Sequence, residues 1–138
     1  MESRQRNEAE GYLRVAQAGL ARPEKFSAET LFQLVALAIE GFWLAYLTEE
    51  GTVPSHHGFR DLIKAAEAVR PVPTDLANAV RSLDRYQSLC AWIPVDPRKP
   101  VREEIPGLID TACKVASFTA GRYQPRLSEP KLTLPTEV

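Results

Sequence analysis

The two histidines of this chain are adjacent, His56-His57, and Arg60 and Asp61 follow within one helical turn. On a helix, residues four apart share a face, so His57 would meet Asp61 and His56 would meet Arg60. An imidazole beside a guanidinium is equipment for proton transfer next to a bound phosphate. Free N–H groups at a helix start would add affinity for the anion. His56, His57 and Arg60 are therefore the catalytic candidates, for acid–base chemistry on a phosphate-bearing substrate. The competing structural reading has one histidine packing or capping the turn and the other in water.

Metal chemistry finds little support. Two adjacent helical histidines point about 100° apart, and no nearby Cys or His completes a zinc set. The sequence has no H-E-x-x-H, C-x-x-C, G-x-x-x-x-G-K, G-x-S-x-G or G-x-G-x-x-G. Neither a metal nor a cofactor is expected. Cys90 and Cys113 are too few for a disulfide framework and read as reduced, buried residues of a cytoplasmic protein. Glu40 is the one charge within the longest apolar stretch. An unpaired buried carboxylate is costly, so it requires a partner or a place lining a cleft. Arg85 and Tyr86 bring a cation and an aromatic ring together. Glu40, His57, Arg60, Arg85 and Tyr86 are the ligand-binding candidates.

The elements that position these residues are set by proline. Eleven prolines leave five long gaps, and each gap carries helical periodicity. Tyr12, Val15, Ala16 and Gly19-Leu20 mark the first helix. Leu31, Leu34, Val35, Ala38, Ile39, Phe42, Ala45 and Tyr46 mark the second, with Ser27 as its N-cap and Gly51 beyond its C-terminus. Leu37, Trp43 and Leu47 widen its apolar surface past one stripe, so the helix is either central or faces both a core and a partner. A third helix opens at Pro54-Ser55, places the histidines on its first turn, and runs through Phe59, Leu62, Ile63, Ala66 and Val69. A fourth, with Thr74 available as cap, runs through Leu76, Ala79, Val80, Leu83 and Tyr86 to Leu89-Cys90. A fifth begins near Glu103 or Pro106 and carries Leu108, Ile109, Ala112, Val115, Ala116 and Thr119. Residues 94–100 read as a loop.

No segment alternates like a strand, so the fold class is all-α, an up-and-down bundle of four to five helices. Its 138 residues fit one domain, taken as residues 1–124, with an extended or disordered tail at 125–138. With 17 basic and 18 acidic side chains, bulk charge does not mark a polyanion binder. The most apolar run, Leu31 to Leu47, falls short of the ~20 residues a membrane helix needs and holds Glu40. It reads as a core helix, and no membrane partner is expected.

The run Leu34-Val-Ala-Leu-Ala-Ile-Glu40-Gly-Phe-Trp-Leu-Ala45-Tyr-Leu, followed by Gly51-Thr-Val-Pro-Ser-His-His57-Gly-Phe-Arg-Asp-Leu62, resembles the HEPN domain family. In that family a helix with alanines and a glutamate leads into a Gly-x-x-Pro-x-His turn and a short helix. Leu83-Asp-Arg-Tyr86 to Asp96 looks like the region before the family's last helix, and Pro106 to Tyr123 looks like that helix. The resemblance covers roughly residues 6 to 124. It implies a helical bundle, commonly a homodimer, that associates with RNA, nucleotides or a nucleotidyltransferase-like partner in toxin–antitoxin-like pairs. Many members cleave RNA through an Arg-x4-6-His motif. This chain departs from it, because the nearest arginine before His56 is Arg22, and Ala91 stands where relatives often carry Arg.

The leading expectation is therefore a non-catalytic, HEPN-like binding module that self-associates or pairs with a nucleotidyltransferase-like protein. The alternatives are a nucleotide- or RNA-acting enzyme using His56, His57 and Arg60, and a structural helical protein without a ligand.

Overall fold

The computed structural model describes residues 4–52, 54, 58–86 and 99–122. His56, His57, Cys90, residues 94–98 of the expected loop and the expected tail from Pro125 lie outside the described residues. Among the described residues the chain is an all-α bundle: α1 (Arg4–Gly19), α2 (Ala28–Glu49), α3 (Phe59–Val69), α4 (Thr74–Arg81) and α5 (Ile105–Thr119). Two 3-10 turns, Ser82–Tyr86 and Arg102–Glu104, follow α4 and precede α5.

Helix α2 is the axis of the bundle. The Ser27 hydroxyl accepts the N–H of Thr30 at 3.1 Å, which satisfies a free donor of the first turn. Gly51 takes φ 79° beyond the other end, where the left-handed conformation disfavours a side chain. The N–H groups of Gly51 and Thr52 then close on the carbonyls of Thr48 and Leu47, a Schellman turn. Gly121, at φ 77°, ends α5 in the same way. By length and apolar composition α2 could cross a membrane, but most of its apolar window is buried in the bundle. Phe42 and Trp43 are both fully buried. The wide apolar surface of α2 is therefore covered from within the chain at these two residues, which fits the central of the two placements the sequence left open.

Helices α1 and α2 form one antiparallel hairpin. The Cβ of Ala9 lies 2.9 Å from where a Cβ on Gly41 would stand, and the Phe26 ring lies 2.8 Å from the same point on Gly19. Only small residues permit this approach. Ala9 and Gly19 stand at the two close contacts, and α1 buries Leu13 and Ala16 on the same face between them. The stripe read from the sequence is corrected here: Tyr12 and Val15 are 37% and 45% exposed, because they lie off the Ala9, Leu13 and Ala16 face that packs into the bundle.

Helices α3 and α4 form a second hairpin, fastened by Arg81 Nη2 to Glu67 at 3.3 Å. Helix α4 is shorter than its periodicity predicts. It stops at Arg81, and the Ser82 hydroxyl donates back to the Ala79 carbonyl at 2.8 Å, which competes with the α-helical ladder. Thr74 is its first helical residue, not its cap; Pro73 holds the cap position. Helix α5 closes the bundle beside α1 and α2, with Pro106 in its first turn as expected.

Arginines tie the helix ends together. Arg102 donates to the carbonyls of Phe26 and Leu20 at 2.7 Å each and of Gly19 at 3.3 Å, which finishes α1. Arg6 reaches the carbonyl of Thr119 at 3.3 Å and its hydroxyl at 3.0 Å. Arg70 reaches the carbonyl of Phe118 at 3.2 Å. A cation at a helix C-terminus answers both the unpaired carbonyls and the negative end of the macrodipole.

Candidate functional site

Three of the residues singled out from the sequence come together where α3 begins. Gly58 is the N-cap of α3 and has no side chain to offer its free N–H groups. The chain enters there in an extended conformation, φ −64° and ψ 154°. The helix starts at Phe59, later than the Pro54-Ser55 opening expected from the sequence; His56 and His57 lie outside the described residues.

The group that faces this helix start is Asp84, from the 3-10 turn. Its Oδ2 lies 4.0 Å from Nε of Arg60, whose side chain is otherwise largely exposed. Its Oδ1 is buried without a hydrogen-bond partner. Burial pushes the Asp84 carboxyl above the usual carboxylate range. The backbone N–H groups of Arg60 and Phe59 and the Arg60 charge pull it partly back, while Asp61 adds to the rise. The positive end of α3 thus already faces a carboxylate. A phosphate would meet negative charge at the place where the sequence suggested anion affinity.

Arg85 and Tyr86 continue from Asp84. Arg85 Nε donates to the Ser82 carbonyl at 3.0 Å, and its guanidinium stands 5.9 Å from the Tyr86 ring centre. Tyr86 packs on Phe32 of α2 at 4.9 Å. Arg60, Arg85 and Tyr86 therefore share one region. Glu40 does not join them through any described contact. It is half-buried on α2, about two helical turns beyond Phe32, and it has an interaction partner, as its cost of burial requires.

Sequence reasoning passed over a second cluster at the opposite end of the bundle. Trp43, Tyr46 and Phe118 pack ring against ring at 5.7 to 6.3 Å. Arg70 lies 4.8 Å above Phe118 and 5.5 Å above Tyr46. Burial raises the Tyr46 hydroxyl pKa, with Arg70 opposing and Glu50 adding. The Trp43 indole nitrogen and the Tyr46 hydroxyl are buried without partners. Only the helical spacing of Trp43 and Tyr46 hinted at this grouping; Arg70 and Phe118 come from other helices.

Cys113 is half-buried and accepts a long contact from Gln17 Nε2 at 3.8 Å. Burial, with Asp110 nearby, pushes its thiol up, so its setting disfavours the reactive thiolate. No group of His, Cys, Asp and Glu among the described residues could hold a metal ion.

No protein-family model matches this chain, and no curated protein matches it. Among solved structures, TT1696 from Thermus thermophilus is similar, with a TM-score of 0.69 and 24% identity. The match covers 86% of this chain and 94% of that one. At this identity the likeness establishes the fold. The helical bundle is thus shared across nearly the whole of the other chain.

Proposed function

We propose that this chain is a HEPN-like helical binding module, non-catalytic, that works in the cytoplasm by self-association, by pairing with a nucleotidyltransferase-like protein, or both. The single observation that carries the reading is the Asp84 carboxylate facing the start of α3. A phosphate-handling site built on His57 and Arg60 needs that helix end open and positive. Here a carboxylate stands beside Arg60 instead, with the backbone N–H groups of Phe59 and Arg60 acting on it.

The arginines support the same reading. Arg6, Arg70 and Arg102 hold the ends of α1 and α5, so they serve the fold. The exposed apolar residues support it from the other side, because Tyr12, Val15 and Leu37 present side chains that a protein contact would cover. Nucleotide or RNA association, as in toxin–antitoxin-like pairs, would then be a property of the assembled pair.

The test is recovery of the tagged chain from its own host under native conditions, with the bound proteins identified by mass spectrometry. The reading expects a stoichiometric nucleotidyltransferase-like protein, a second copy of the chain, or both. Recovery as a monomer with neither contradicts it.

A further inference from the structure

We draw no further inference here: the strongest candidate, the apolar face that α1 and α2 present at Tyr12, Val15 and Leu37, is exposed, and nothing in the structure shows what covers it.

Discussion

Replacing Arg102 by alanine should be among the most damaging single changes at the surface of this bundle. Its guanidinium makes two bonds of 2.7 Å, to the carbonyls of Phe26 and Leu20, and one of 3.3 Å, to that of Gly19. These atoms belong to the end of α1 and the turn into α2, while Arg102 itself leads into α5. One side chain therefore joins three elements. Hydrogen bonds from a charged group contribute about 1.5–3 kcal/mol each, and those near water contribute less. Two short bonds in a partly buried site should together be worth about 2–4 kcal/mol. Arg102→Ala is expected to lose that much in urea unfolding at pH 7 followed by circular dichroism, with an unchanged m-value. Arg102→Lys should recover less than half, because an ammonium cannot present the same planar fork to carbonyls on two sides. A loss below about 0.5 kcal/mol, within the range of ordinary surface changes, would refute the view that Arg102 holds the end of α1. Full recovery by lysine would refute the geometric part of it.

Two other predictions probe the seam and the start of α3. Gly41→Ala should destabilise by about 1–2 kcal/mol although alanine is the better helix former by about 1 kcal/mol, because its Cβ meets the Ala9 Cβ at 2.9 Å and the helices must part; thermal melts would show it. Asp84→Asn should be at least as stable as the parent at pH 7, and its advantage should disappear as the pH falls to 3.8 and below. The sign follows from the raised carboxyl: the folded chain holds this proton more tightly than the unfolded chain, so its contribution is full below the ordinary value of 3.8 and is lost as the pH rises through the folded value. Urea melts at both pH values decide it, and a parent more stable than Asp84→Asn at neutral pH would contradict the buried cost.

Local signals along the chain were enough for the helices and several of their ends. Ser27 and Gly51 act on the turns beside them, so their roles could be read without knowing the fold. The stripe Phe59, Leu62, Ile63 and Ala66 was equally visible because α3 has one buried face. The inward face of α1 was not visible. Tyr12 and Val15 are more apolar than Ala9, and only the close approach at Gly41 in another helix makes the small residue the buried one. Trp43 left two placements open, a central helix or one facing a partner, for a related reason: the ring that packs on it, Phe118, comes from α5. The site was legible in part. Arg60, Arg85 and Tyr86 do share a region, yet the residue that sets its charge is Asp84. Sequence spacing cannot announce a carboxylate that approaches a helix start from a distant turn. Gly58 was the available clue, since a helix whose cap residue has no side chain must find other company for its first donors.

The measurement that bears most directly on the central claim is incubation of the purified chain with RNA and with nucleotides in the presence of a chelator, beside a His56→Ala/His57→Ala double variant. The account predicts no turnover by the parent beyond that of the double variant. Cleavage by the parent that the double variant loses, with its fold intact, would contradict it and make this chain a metal-independent enzyme.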